Sequence, residues 1–222
     1  MQACYGEWVK RREFGQYCGI ARALELVGER WALLVVRDLM IRPRRYTDLQ
    51  EGLAGIPSNV LSTRLKELEQ SGIVERQVAP APQRGVVYAL TPLGQELEPA
   101  LLALGRWGST QLGDPQPGDR VTPDGATLNL RANFRQEEAA GLTASFELHA
   151  RDLVVHAVVT DGKLTSGIGP APEPADLVIT AEVPDDVPAS YRAIVRAARL
   201  GQVELKGSKK LLDTFLRVFT RP

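Results

Sequence analysis

Leu61, Leu65 and Leu68 share one face of a helix that the apolar spacing predicts over Ser58–Gln70, with Gly72 as its terminator. Earlier, Ile20, Ala23, Leu24 and Val27 recur at helical intervals and stop at Gly28. A second helix, Trp31–Met40, carries Leu33, Leu34, Val35, Val36 and Leu39 on more than one face, as a central helix does, and ends before Pro43. A short helix over Thr47–Gly52 precedes the Gly55-Ile56-Pro57 turn. Ile73–Val78 and Val86–Leu90 read as two strands joined by a proline-rich loop containing Gly85. Thr91-Pro92 then opens another helix, a hydroxyl cap followed by proline in the first turn. Its stripe is Leu93, Leu97, Leu101, Leu104 and Trp107, and Pro99 must kink it or interrupt its bonding. Four helices, a hairpin and a helix are the order of a winged helix-turn-helix with one C-terminal helix added.

Gly113–Asp119 is a run of turn formers without apolar periodicity, expected as a linker. Beyond it, Ala126–Asn133, Leu142–His149, Leu153–Thr160 and Asp176–Thr180 alternate as strands do, with turn signals at Arg151-Asp152 and Asp161-Gly162. They predict an antiparallel sheet. An apolar helix over Ala189–Leu200, a short strand Val203–Lys206 and a final helix Ser208–Phe219 complete the chain. The expected fold class is α+β: a winged domain over 1–112, a linker over 113–125 and an α+β domain over 126–222.

Composition adds little to this picture. With 44% hydrophobic and 24% charged residues, an ordinary core is within reach and disorder is not expected. Net charge is zero, and residues 1–112 hold 14 Lys+Arg against 12 Asp+Glu, so a nucleic-acid surface must come from local placement of basic groups. The chain has two cysteines, Cys4 and Cys18, too few for a disulfide framework, and no apolar stretch long enough for a bilayer; the cytoplasm is the expected compartment.

Turning Leu61, Leu65 and Leu68 inward puts Asn59, Ser62, Thr63, Lys66 and Gln70 outward, a face free of carboxylates. Asn can pair with adenine, Ser and Thr with base or phosphate, and Lys with guanine or backbone. Ser58 stands at the start of that helix. Arg44 and Arg45, with Arg42, precede the short helix, and Arg76 and Arg84 flank the hairpin, where phosphates or a minor groove would be met. Arg64 lies beside the apolar face, so a contact with Glu67 or Asp48 competes with a phosphate contact. The stripe from Leu93 to Trp107 comes after an already complete small domain, and a second subunit would cover it. His149 and His156 are the chain's two histidines, with no cysteine or carboxylate at metal-site spacing. No nucleophile elbow, P-loop or dinucleotide fingerprint is present, so neither an enzyme nor a cofactor is expected.

Several runs together resemble the HxlR-type regulators. They are Cys18 with Ala23–Trp31, Arg45–Leu49, Gly55-Ile56, Leu61–Glu69, Gly72–Arg76 and Tyr88–Gly94, in order and without large gaps over roughly 18–108. The resemblance implies a MarR-like winged-helix homodimer on double-stranded DNA, with Pro99 and Trp107 in a dimerisation helix. It departs at Pro57, where many members carry a serine cap. Cys18 stands where some relatives carry an oxidant- or electrophile-sensing thiol, and Arg22 one turn on is a group that would lower its pKa.

Ala175–Thr180, the helix ending Arg199-Leu200-Gly201, and Val203–Ser208 resemble the sterol carrier protein-like fold more loosely. That likeness implies an apolar tunnel, for which Phe134, Phe146, Leu148, Tyr191, Ile194, Leu212, Phe215 and Phe219 are the candidate lining, or simply the core. The expectation is a DNA-binding regulator modulated by a small apolar effector. The alternative is a lipid carrier whose first domain mediates protein interaction.

Overall fold

The computed structural model describes residues 13–79, 84–113, 119–184 and 187–220. The chain divides into two compact units after Glu96.

In the first unit, α1 (Gly19–Val27), α2 (Ala32–Ile41), α3 (Tyr46–Gly52) and α4 (Ser58–Gln70) precede a hairpin of β1 (Val74–Val78) and β2 (Val86–Leu90) and a short α5 (Pro92–Gln95). The core is aliphatic: Val35 and Val36 of α2, Leu49 of α3, Leu61, Leu65 and Leu68 of α4, and Ile73 and Val74 are all buried. Leu61, Leu65 and Leu68 are the positions that the helical spacing marks as inward, whereas Ile20 and Leu24 of the first apolar stripe are exposed. The strands pair antiparallel with Val74 opposite Leu90 and Val78 opposite Val86, and the loop residues 80–83 lie outside the described set.

Thr91 ties the hairpin to α5. Its hydroxyl donates to the Gly72 carbonyl, its N–H donates to Ile73 O, and its Oγ1 accepts from Gly94 N–H. Gly94 is pressed so close to β1 that a Cβ would stand 2.2 Å from Ile73 O. No other residue fits there. Pro99 does interrupt the helical run: the bonding stops at Glu96–Leu97 and restarts with Pro99 in the first turn of α6 (Glu98–Ser109).

The second unit begins with α6. It continues through α7 (Pro123–Asn133), β3 (Ala144–Ala150), β4 (Leu153–Thr160), β5 (Lys163–Ile168), β6 (Leu177–Ala181), α8 (Tyr191–Arg199), β7 (Val203–Gly207) and α9 (Leu211–Phe219). The five strands form one sheet in the order β5-β4-β3-β6-β7. Three expectations change here. Ala126–Asn133 is helix rather than strand, because Thr122 caps it by accepting from Gly125 N–H and Pro123 occupies its first turn. Lys163–Ile168 is a strand that its irregular polarity hid; it is joined to β4 through Asp161-Gly162, both at positive φ. The sheet is antiparallel except where β6, arriving by a crossover from β5, lies parallel to β3 with Leu177 opposite Phe146. Of the expected linker, residues 114–118 lie outside the described set, and helix resumes at Pro123.

Strands β3, β4 and β6 bury alternate residues, and α7 and α8 pack on the sheet. The centre is a chain of rings: Phe146 meets Phe215 at 5.6 Å and Phe219 at 5.7 Å, and Phe219 meets Phe215 at 5.1 Å and Phe134 at 5.4 Å. Phe146→Ala is therefore expected to destabilise this unit by about 3–5 kcal/mol, whereas Leu200→Ala, on an exposed side chain, should change it by less than about 0.5 kcal/mol. Urea unfolding monitored by circular dichroism measures both; equal effects would contradict the ring cluster as the core.

Candidate nucleic-acid interface

Helix α4 is held by its three leucines, all at most 2% exposed, and this fixes what it shows to solvent. Asn59, Ser62, Thr63, Lys66 and Gln70 are all exposed, as is Ser58 at the first position. No side chain caps α4, since Pro57 occupies the N-cap with extended backbone. The hydroxyls are parked on their own helix: Ser62 Oγ donates to Ser58 O at 2.9 Å and Thr63 Oγ1 to Asn59 O at 2.8 Å. Each is an i to i−4 bond that a rotamer change releases, leaving a donor and acceptor for a base edge or phosphate. Tyr46 of α3 anchors the start of the helix by donating from its hydroxyl to Ser58 O at 2.8 Å. Sequence reasoning did not single out Tyr46, because its partner is a backbone carbonyl rather than a side chain.

The arginines separate into three groups. Arg45 is exposed and its Nη2 donates to Arg84 O at 2.9 Å, so the approach to α3 is stitched to the start of β2. Arg84 itself is exposed. Arg76 is exposed on β1, but its Nη2 is 3.3 Å from Glu69 Oε2 and its guanidinium lies 5.6 Å from the centre of the Tyr88 ring. Arg44 and Arg64 are drawn in against the protein. Arg44 is 8% exposed, and its backbone pairs both ways with Tyr88, N–H to O at 2.9 Å and O from N–H at 2.7 Å. Arg64 is paired with Glu67, and its Nη2 is 3.6 Å from Glu29 Oε2, which resolves its contact in favour of these carboxylates and away from Asp48.

The stripe expected to form a subunit contact is only partly covered. Leu101 is buried and Leu97 half-buried, but Leu93, Leu104 and Trp107 are 52%, 50% and 67% exposed. The eight residues offered as a tunnel lining converge on a single core: Phe146, Leu148, Tyr191, Ile194, Phe215 and Phe219 are buried, with Phe134 and Leu212 packed against them. His149 Nε2 is bonded to Glu147 Oε2 at 2.8 Å. Among the described residues, no three His, Cys, Asp or Glu side chains are grouped to hold a metal ion, and no helix is long and apolar enough to cross a membrane.

Cys18 is exposed at the N-cap of α1. The N–H groups of Ala21, and then of Ile20, hold its thiol below the usual cysteine range, although neither closes a cap of normal geometry. Arg22, the group expected to do this, pairs instead with Glu25 Oε2 at 3.0 Å.

The model of the HxlR-like helix-turn-helix family matches residues 26–116. The chain is 37% identical over 100 residues to an uncharacterised HTH-type transcriptional regulator of Synechocystis sp., covering 45% of this chain and 74% of that one. It is 38% identical over 99 residues to the HTH-type transcriptional regulator YodB of Bacillus subtilis, covering 45% and 86%. A further uncharacterised HTH-type regulator, from Mycobacterium tuberculosis, is 39% identical over 120 residues, covering 54% and 70%. The fold and the open face of α4 define a DNA-binding transcriptional regulator of the winged helix-turn-helix class. The chain belongs to the HxlR-like helix-turn-helix family.

A thiol lowered by helix N–H groups ionises at lower pH than one in a flexible peptide. In a Cys4→Ser variant, the rate of Cys18 alkylation by iodoacetamide should titrate with a midpoint below the roughly 8.5 of free cysteine. A midpoint at or above that value would remove the N–H groups of α1 as an influence.

Proposed function

We infer that the chain binds DNA as a homodimer, with Asn59, Ser62, Thr63 and Lys66 of each copy entering successive major grooves and Arg45, Arg76 and Arg84 beside them on the backbone. The observation that carries this reading is the α4 surface, exposed at every one of those four positions and bearing no carboxylate among them. The Arg45–Arg84 link supports a single basic edge made from the α3 approach and the hairpin. Arg76 gives up Glu69 for a phosphate at little cost, because exposed ion pairs contribute about 0–1 kcal/mol. Arg44 and Arg64 act by holding the hairpin and α4 in place.

Leu104 and Trp107, left open on α6, supply the subunit contact, and two copies then set the spacing of two half-sites about one helical turn apart. The second unit serves as a sterol carrier protein-like sensor domain for a small molecule with an apolar body, and the regulator works in the cytoplasm. An effector acts only through different affinities for two states of the dimer.

The deciding experiment is a fluorescence-anisotropy titration of duplex fragments selected from genomic DNA. Lys66→Ala combined with Arg84→Ala should lower affinity at least about tenfold and flatten the dependence of log affinity on log salt by about one to two. Unchanged affinity in the double variant overturns the docking surface; absence of any selective, salt-dependent binding favours a carrier. For the dimer, Leu104→Glu with Trp107→Glu should sediment as a monomer where the parent chain sediments as a dimer. A parent chain that is monomeric at micromolar concentration rejects the contact.

A further inference from the structure

Within the second unit, α6, α7 and β5 bound a cleft of about 420 Å3 whose lining includes Phe134 at the edge of the ring core. Its size falls in the range of small-molecule sites, roughly 300–1,000 Å3. The walls divide by chemistry. Leu102, Phe134 and Leu164 are half-buried and apolar. Phe134 also touches Phe219, so the apolar wall runs on into the aromatic core behind it.

The rest of the lining is polar and positively charged. Arg131, near the end of α7, is aimed by β5: Nε donates to Ser166 Oγ at 2.8 Å and Nη2 to Ser166 O at 3.3 Å. Its Nη1 donates to Glu98 Oε1 at 3.1 Å. Lys163, at the start of β5, is exposed and makes no ion pair among the described residues. Two cations thus face one carboxylate, and the cleft carries one net positive charge. The Arg131 guanidinium is thus fixed by Ser166 and already holds one carboxylate, that of Glu98, through Nη1.

We propose that this cleft binds a small monocarboxylate with an apolar body, its acid group between Lys163 and Arg131 and its body over Leu102, Phe134 and Leu164. One negative charge neutralises the site. A second would exceed it, a cation would be repelled, and a wholly polar anion would leave the apolar wall in water. The ligand acid competes with Glu98 for Arg131. Glu98 is the first residue of α6, so its release is the step by which occupancy reaches the helix that bears Leu104 and Trp107. This deepens the effector reading above and rests on it for regulation, though not for binding.

Isothermal titration calorimetry of the full chain at pH 7, with octanoate and with octanol, tests the site. Octanoate should saturate at one per chain and bind at least about tenfold tighter than octanol, which shares the tail and lacks the charge. Lys163→Met should weaken octanoate by about tenfold and leave octanol unchanged. Glu98→Gln should tighten octanoate several-fold, an outcome that loss of a merely structural ion pair would not give. No saturable octanoate binding, equal affinity for octanol, an unaffected Lys163→Met variant or a Glu98→Gln variant that binds no tighter each overturns the proposal. The two readings fail separately. Octanoate that binds the cleft without altering DNA affinity removes the effector role and keeps the site, and intact DNA binding without octanoate binding removes the site alone.

Discussion

Everything the first unit does toward DNA depends on one face of α4 being unavailable. Leu61, Leu65 and Leu68 are withdrawn from water on the side of α4 that meets α2 and β1. Burying each contributes about 1.5–3 kcal/mol relative to exposure. A rotation of α4 that brought Lys66 or Asn59 inward would bury a polar group without a partner and surrender part of that gain. The polar face is thus held outward by the apolar one. The hydroxyls of Ser62 and Thr63, resting on carbonyls one turn back, are satisfied until a better partner arrives.

The first unit is largely legible in the sequence because its signals are local. The leucine spacing of α4, the Thr91-Pro92 start and the two apolar runs around Gly85 each act within a few residues, and the elements fall where they place them. What escapes is long-range. Arg44 and Arg45 are neighbours in sequence with the same chemistry, yet one is enclosed by its bridge to Tyr88 and the other reaches Arg84. No spacing rule separates them.

In the second unit, Ala126, Leu128, Leu130 and Ala132 alternate like a strand, but Thr127 is buried as well, so the alternation reflects a helix enclosed on most sides. The informative signal is Thr122-Pro123, the same cap chemistry as Thr91-Pro92. Strand β5 is hidden for a different reason. Gly167 occupies its interior because a Cβ there would stand 2.7 Å from His156 Cε1, and the space belongs to the histidine ring. The Arg131–Glu98 pair joins residues far apart in sequence, so the cleft they share is visible only in three dimensions.

The strand order has a consequence for how the chain comes into being. The hairpin of the first unit pairs residues from Val74 to Leu90, and that unit is complete by Glu96. In the sheet, central β3 must wait for β6, whose Leu177 lies opposite Phe146, and β6 in turn for β7. Contacts of short sequence separation form sooner than those that close long loops, and synthesis proceeds from the N-terminus. The DNA-reading unit therefore matures on the ribosome while β3 still exposes an unpaired edge, and protection of that edge in the interval is a demand on the cell that the finished fold no longer shows.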